Sequence, residues 1–270
     1  MTIVRAFCAV AAAMVLVQPA VAASPRVMSL DSCADQYVLA LAPRETIVGL
    51  SHRAGAPDSY MRKASAGLPR RRATVESLVA ARPQVVVRHW GGDARLVSAL
   101  ERRGVRTVRI DDAADFEAVR ANVRRVAQAL DRQAAGEAVI ARMDGQLQAA
   151  DGAWKGETAL YLTPGGYTAG SGTLIDAMLK ASGLSNASTG PFFSPVPLES
   201  LVMAPPRAVV LGFFDLTRAG SDRWGAGRHA ALERTTKDRT ITALPGAVVG
   251  CPAWFAADGV AQLAQARSAR

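Results

Sequence analysis

The sequence predicts an α/β protein with two Rossmann-like lobes, each built on a parallel sheet, and one long α-helix that joins them. Three observations support this fold class. Short valine-rich runs alternate with helical patterns in both halves, a thirteen-residue segment occurs twice, and a proline-free helical stretch separates the two copies. Valine-rich strands that alternate with helices are typical of parallel sheets covered on both faces.

The N-terminal lobe is predicted to span residues 24–114. Its apolar runs predict strands, in order, at RVMSL, TIVGL, QVVVRHW and TVRI. Between them, the apolar residues have helical spacing in ADQYVLAL, VESLVAA and ARLVSALERRG. This alternation predicts a parallel sheet with crossover helices.

The connecting helix is predicted over residues 115–150. Its apolar residues recur with a period near 3.6, and acidic residues at Asp115 and Glu117 suit a first helical turn. A helix of this length would span roughly 50 Å at about 1.5 Å per residue. We therefore expect one unbroken rod between the lobes.

The C-terminal lobe is predicted over residues 157–270, where the α/β alternation starts again. Strands are predicted at TALYLT, RAVVLGFF and GAVVG. Helices are predicted at GTLIDAMLKASG, LESLVMA and HAALERTT, and from about residue 257 onward.

The repeated segment relates the two lobes. VESLVAARPQVVV at 75–87 and LESLVMAPPRAVV at 198–210 are identical at eight of thirteen positions without gaps. The identities include a serine, a proline and the pair Glu76 and Glu199. Because polar residues match as well as apolar ones, we interpret the repeat as the same helix–strand unit in two similar lobes.

The first 22 residues have the order of a secretory signal peptide. Arg5 precedes a short apolar run, and small residues at Ala20 and Ala22 offer a cleavage site. The run is too short for a membrane span. We therefore expect an exported protein that is not inserted in the membrane, with residues 1–22 removed.

The net charge and the cysteines limit which kinds of partner and metal site the protein can have. The formal net charge is +9, which suits an anionic partner, but export makes nucleic acid unsuitable. Cys33 and Cys251 remain after cleavage, and an oxidising compartment permits a disulfide between them that could latch the lobes. Their spacing is not that of a zinc framework, and the sequence leaves open whether they meet.

The chain resembles the substrate-binding proteins of ABC importers for iron–siderophore complexes and cobalamin. The resemblance lies in the ordered segments RVMSLDSCADQYVLAL, TIVGLS, LPRRRATVESLVAARPQVVV, TAGSGTLIDAMLKASGL and PLESLVMAPPRAVV. It implies the fold of a class III periplasmic binding protein and a periplasmic monomer. The implied partners are an importer permease dimer with its ATPase and a small metal chelate. The resemblance implies no enzyme activity and no resident cofactor.

Members of this family dock onto permease arginines through one glutamate on each lobe. The resemblance assigns this role to Glu76 and Glu199. A glutamate in the first turn of a helix is also favoured by the helix dipole alone, and Thr74 is a candidate N-cap.

Ligand contacts are expected where strands end, because open α/β lobes bind ligands at the carboxyl ends of their strands. The candidates at strand ends are Arg53, Arg88, His89, Trp90, Tyr167, Phe214 and Trp254. Arg70 is a further candidate, because the family often has a ligand-facing aromatic at that position. Arginine forks bind carboxylates and catecholates. The three arginines therefore favour a ferric siderophore over cobalamin or another corrinoid.

No catalytic constellation stands out in the sequence. PGGYTAGSG lacks the lysine of a P-loop, and Ser171 is not in a G-x-S-x-G elbow. The histidines show no paired helical spacing, although His52 and His89 could converge on bare metal or haem. A secreted hydrolase or metalloenzyme is the remote alternative.

Overall fold

The computed structural model describes residues 24–216 and 230–269. The expected signal peptide over 1–22 lies outside the described residues. Among the described helices, none has both the length and the apolar composition that a membrane span requires.

The N-terminal lobe is a five-stranded sheet in which every neighbouring pair is parallel. Its strands are β1 (Val27–Ser29), β2 (Ile47–Ser51), β3 (Arg70–Arg71), β4 (Val85–Arg88) and β5 (Arg106–Arg109), in the order β3-β2-β1-β4-β5. Three helices connect them: α1 (Ser32–Leu41), α2 (Val75–Ala81) and α3 (Ala94–Glu101). The strand order changes direction between β1 and β4, which is where such sheets open a crevice at the carboxyl ends of the strands.

The prediction of one continuous helix over 115–150 is wrong. The segment forms two helices, α4 (Phe116–Ala129) and α5 (Gln133–Ala150). Between them Asp131 has a φ of 56°, in the left-handed region that a short polar side chain tolerates better than most residues. The chain reverses direction at this break. The sequence did not suggest a break there, because the segment contains no proline.

The two helices pack side by side and antiparallel. Arg124 pairs with Glu137 at 2.9 Å and Arg120 with Asp144 at 2.6 Å, so later residues of α4 face earlier residues of α5. At the closest approach, a Cβ added to Gly136 would lie 2.6 Å from the Cβ of Ala127. The reversal therefore creates a tight helical hairpin instead of a rod.

The C-terminal lobe has a second parallel sheet. Its strands are β6 (Thr158–Leu162), β8 (Ser185–Asn186), β10 (Ala208–Gly212) and β11 (Thr240–Leu244), in the order β11-β10-β6-β8. A separate antiparallel ribbon pairs β7 (Tyr167–Ala169) with β9 (Phe193–Pro195). The helices are α6 (Leu174–Ala181), α7 (Leu198–Met203), α8 (Ala230–Thr236), α9 (Gly246–Val249) and α10 (Ala256–Ser268).

The repeat predicted from the sequence occupies equivalent places in the two lobes, which confirms that interpretation. Its first copy forms α2 and β4, and its second forms α7 and β10. Strand β4 lies between β1 and β5, just as β10 lies between β6 and β11. Each copy therefore supplies an inner strand of its sheet.

The helical hairpin belongs to the cores of both lobes. In α4, Phe116 and Val119 pack in the C-terminal core while Val123 packs in the N-terminal core. In α5, Ile140 packs in the N-terminal core and Met143 in the C-terminal core. Both helices thus cross the junction, and together they take the place of the single predicted helix.

A second crossing lies at residues 251–257, which run from the loop after α9 into the first turn of α10. Ala253 and Phe255 are buried in the N-terminal core, whereas Ala256 and Ala257 are buried in the C-terminal core. The Phe255 ring stacks on Tyr60 of the N-terminal lobe with centroids 4.2 Å apart. The lobes are therefore tied by this return segment as well as by the hairpin.

The close helix approach predicts opposite effects for two glycines of α5. Gly136→Ala should lower the free energy of unfolding by about 1–2 kcal/mol, because the new methyl group overlaps Ala127. The matched variant Gly145→Ala should raise it by up to about 1 kcal/mol, since nothing lies within 4 Å and alanine favours the helix. Urea denaturation measures both, and stabilisation by both variants would contradict the hairpin.

Candidate ligand-binding site

The cleft begins at the crevice between β1 and β4, where Asp31 organises the backbone. Its carboxylate caps α1 by accepting from the N–H of Ala34 at 2.9 Å. The same carboxylate accepts from the N–H groups of His89 at 2.7 Å and Gly91 at 2.9 Å. One side chain thus positions both α1 and the loop that carries the cleft residues His89 and Trp90.

A buried carboxylate supports the same edge of the sheet. Asp35 of α1 is fully buried and accepts from the Ser51 amide at 2.8 Å and from the hydroxyls of Ser51 and Ser29. Burial raises the pKa of Asp35 above its usual value, although these hydrogen bonds oppose the rise. The ends of β1 and β2 are therefore pinned to α1 directly beneath the cleft.

The glycine-rich segment before α6 contains β7 and then pairs through its backbone with residues 190–192, which include an aromatic side chain. The Gly170 amide donates to the Phe192 carbonyl at 2.7 Å, and the Phe192 amide donates to the Ser171 carbonyl at 2.8 Å. A Cβ on Gly170 would meet the Gly190 oxygen at 1.8 Å, so only glycine fits. Thr173 then caps α6 at the cleft wall.

Both lobes line one cleft of about 470 Å³. Large aromatic side chains are exposed on both sides: Trp90 (66%) from the N-terminal lobe, and Phe192 (66%) and Phe193 (55%) from the C-terminal lobe. The remaining described wall is mainly aliphatic, with Leu174, Ile175, Met178, Val248 and Val249. Such a surface suits a large ligand with an apolar face.

Polar side chains in the described part of the cleft are few. His89 is buried, and its ring nitrogen Nε2 lies 2.9 Å from Oδ1 of Asp112. Asp112 follows β5 and is exposed, and the Thr173 hydroxyl is already bonded to the Gly170 carbonyl at 2.7 Å. Asp112 is the one lining residue of the described chain that has a formal charge at neutral pH.

The three arginines expected at the cleft do not line it. Arg53 pairs with Asp58, and Arg70 packs its guanidinium against Gly55. Arg88 donates to the carbonyls of two glycines just beyond it, at 2.7 and 3.2 Å. The sheet order explains the first two positions, because β2 and β3 lie on the far side of β1 from the crevice.

The other candidates divide between the cleft and the rest of the structure. His89 and Trp90 line the cleft, whereas Tyr167, Phe214 and Trp254 do not. Trp254 packs edge-on against Tyr37, with centroids 5.2 Å apart, in the return segment. The part that His89 and Trp90 play in binding stays a prediction.

Sequence reasoning missed several lining residues. Asp112 follows a predicted strand by the rule that found His89, so the same signal was present. Phe192 precedes β9 and Phe193 begins it, and their position depends on backbone pairing with Gly170 and Ser171, which the sequence does not reveal.

A disulfide joins Cys33, in the first turn of α1, to Cys251, in the return segment. Cys251 lines the cleft and packs against the N-terminal core, so the bond ties the return segment to α1 at the cleft wall. Asp31, Cys33 and His89 place donor atoms within 4.8 Å of one another, but a disulfide sulfur is no thiolate ligand. His52, the other expected metal ligand, is exposed and does not line the cleft.

Sequence comparison identifies the family. The profile of a family described as periplasmic binding protein matches residues 27–213, well over half of the chain. The chain belongs to the periplasmic binding protein family. No significant match was found among curated proteins.

Solved structures of periplasmic binding proteins have the same fold. The heme-binding protein BhuT, in complex with two hemes, is 26% identical over 90% of this chain and 99% of its own, with a TM-score of 0.69. The vitamin B12 binding protein BtuF of Vibrio cholerae is 16% identical over 91% and 97%, with a TM-score of 0.64. A protein of an ABC-type Fe3+-hydroxamate transport system from Saccharomonospora viridis is 18% identical over 90% and 93%, with a TM-score of 0.64. The predicted two-lobed class III fold is thereby confirmed.

This periplasmic binding protein exposes both repeated glutamates. Glu76 lies in the first turn of α2 and Glu199 in the first turn of α7, and each has an exposed valine three residues later, Val79 and Val202. Hydrogen bonds from its own backbone amide and from the Thr74 hydroxyl hold the pKa of Glu76 below its usual value. The two lobes thus present similar acidic and apolar surfaces.

The disulfide predicts a redox-dependent stability. Replacing both Cys33 and Cys251 by serine should lower the free energy of unfolding by about 2–5 kcal/mol, because the cross-link restricts the unfolded chain. Urea denaturation with and without dithiothreitol measures the effect. Reductant should destabilise the wild type and leave the double variant unchanged, and two titratable thiols in the oxidised wild type would contradict the bond.

Proposed function

We propose that this protein captures a metal chelate between its lobes and delivers it to an ABC importer in the inner membrane. The cleft is the observation that carries the proposal: three exposed aromatic rings from two lobes face a largely apolar space. The similar structures are of proteins for heme, vitamin B12 and Fe3+-hydroxamate, and all three ligands are metal chelates. The family consists of solute-binding proteins, so the proposed role is binding, without catalysis.

We favour a different chelate from the one that the arginines in the sequence favour. A ferric siderophore was favoured because of Arg53, Arg70 and Arg88, and none of these lines the cleft. Without them, the described cleft offers aromatic and aliphatic surface. Such a surface fits the flat face of a tetrapyrrole-type macrocycle better than it fits a compact anionic complex.

Docking onto the importer is proposed to use Glu76 and Glu199. Both carboxylates are exposed, and the repeat places one on each lobe in equivalent helices. Exposed ion pairs are individually weak, so their effect comes from steering and alignment. Two similar acidic surfaces suit a permease dimer whose two halves each present a basic group.

Trp90 provides a test of the aromatic cleft. The probe is cyanocobalamin or hemin, whichever binds the wild type. Trp90→Ala should weaken its binding by about tenfold, because the variant loses an exposed ring that the bound ligand would cover. Tyr167→Ala is the matched control, since that ring is 47% exposed but lies outside the cleft lining. Isothermal titration calorimetry measures both. Equal losses in the two variants would contradict the proposed cleft.

Charge reversal tests the docking surface separately from ligand binding. Glu76→Arg combined with Glu199→Arg should abolish importer-dependent uptake and leave the ligand affinity unchanged, because neither residue lines the cleft. Glu101→Arg, an exposed change on α3, should leave uptake intact. Uptake by cells or vesicles containing the importer is the measurement, and a fall in ligand affinity would reject the docking assignment.

A further inference from the structure

A second cavity lies within the C-terminal lobe, between β6, the ribbon of β7 and β9, and α7. This cavity, which we call the side pocket, measures about 460 Å³ and is close in size to the cleft. Its floor includes three buried residues, Leu160, Thr168 and Leu201. Exposed residues, among them Thr189 and Pro197, stand at its mouth. The side pocket thus has room for a small molecule that reaches from the surface to a buried floor.

The ribbon of β7 and β9 is a wall shared by the side pocket and the ligand cleft. Thr168 and Ser194 lie directly opposite each other in the ribbon, so their side chains share one face, and both line the side pocket. Phe193, the neighbouring residue in β9, belongs to the other face and lines the cleft. The side pocket is therefore a site distinct from the cleft.

The hydroxyl group of Thr168 is the observation that points to a ligand. The residue is only 1% exposed, and its Oγ1 has no hydrogen-bond partner in the part of the chain that the structure describes. A buried hydroxyl without a partner costs free energy, and a valine of the same shape would avoid that cost. Because Thr168 lines the side pocket, a molecule seated on the floor can supply the hydrogen bond.

Three further hydroxyl-bearing residues line the side pocket: Ser188, Thr189 and Ser194. The backbone that carries them is fixed by the protein. The Ser188 amide donates to Oδ1 of Asn186 at 3.0 Å, and Nδ2 of Asn186 donates to the Ala169 carbonyl at 2.9 Å. Ser194 lies in the paired strand β9. The hydroxyl groups are thus held in place before a ligand binds.

Saturated carbon groups make up the rest of the described wall. Leu160 and Leu201 cover the floor, and three prolines contribute their rings: Pro195, Pro197 and Pro206. Serine and threonine hydroxyls both donate and accept, so they can pair with a ligand hydroxyl in either direction. Walls that combine hydroxyl and saturated groups match a ring with hydroxyls around its edge and C–H groups on its faces.

We infer that the side pocket is a second binding site, which takes a neutral cyclic polyol, either a pyranose sugar or a cyclitol. Thr168 binds one hydroxyl of the ring at the floor, and the serine and threonine hydroxyls nearer the mouth bind others. The leucine and proline side chains contact the C–H faces of the ring. This site goes beyond the proposed function, because it requires neither an occupied cleft nor the importer.

The test is an NMR titration of the purified protein with three probes: methyl α-D-glucopyranoside, myo-inositol and cyclohexanol. The first two distinguish a pyranose from a cyclitol, and the third is a ring of similar size with one hydroxyl. At least one polyol should shift the amide signals of Thr168 and Ser194, with a dissociation constant on the order of 1 mM. Cyclohexanol should bind about tenfold more weakly, because it forms fewer hydrogen bonds.

Thr168→Val tests the buried hydroxyl directly. The variant should bind the polyol about fivefold more weakly, because one neutral hydrogen bond to the ligand is lost. Its thermal midpoint should not fall, since Oγ1 has no partner among the described residues. Thr107→Val is the matched control: that hydroxyl, on β5, is likewise buried without a partner in the described chain, but it does not line the side pocket. The control should leave the polyol affinity unchanged.

Three results would overturn the inference. If neither polyol shifts the signals, the side pocket holds solvent only. If cyclohexanol binds as tightly as the polyols, the side pocket is an apolar site. If Thr168→Val and Thr107→Val have equal effects on affinity, the Thr168 hydroxyl does not contact the ligand. Ser194→Ala is a second variant, should Thr168→Val fail to fold, and wild-type affinity in that variant would also count against the site.

Discussion

The position of the cleft depends on Phe255, a side chain that the C-terminal half of the chain contributes to the N-terminal core. Burying a phenylalanine contributes roughly 1.5–3 kcal/mol, and this ring also stacks on Tyr60. The next two residues, Ala256 and Ala257, are buried in the other core. Because one short segment belongs to both cores, the lobes cannot separate without exposing apolar surface. The hairpin of α4 and α5 also has residues in both cores, so it too opposes separation of the lobes.

This double tie gives the aromatic rings of the cleft a fixed spacing. Trp90 extends from a loop held by Asp31, and Phe192 extends from a loop paired with the backbone of Gly170 and Ser171. The distance between the Trp90 and Phe192 rings therefore depends on the two segments that join the lobes, the helical hairpin and the return segment. These segments hold the lobes in place before a ligand binds.

The sequence was most informative where local pattern and global fold agree. Valine-rich strands, the duplicated helix–strand unit and the strand-end rule led to β1, β2, β4, β5, β6 and β10 and to His89 and Trp90. GAVVG was also predicted as a strand, which is wrong: it forms α9, and the strand β11 precedes it. The break at Asp131 was missed because apolar spacing continues through it, and the decisive contact, Gly136 against Ala127, is between helices. The arginines were misplaced for a related reason: strand ends were known, but the order of strands across the sheet was not. Phe192 and Phe193 depend on a backbone pairing with residues 169–171 that only the folded chain reveals.

The disulfide between Cys33 and Cys251 has a consequence for how the protein matures. The two residues are separated by 218 positions, and one lies in each half of the chain. Because synthesis runs from the N-terminus, Cys33 is made long before Cys251. Its thiol must stay unreacted until the second half has followed and both halves have assembled. Oxidative closure is thus a late step of biogenesis, and a small disulfide that reaches the Cys33 thiolate sooner would exchange with it, release a thiolate and leave the protein as a mixed disulfide.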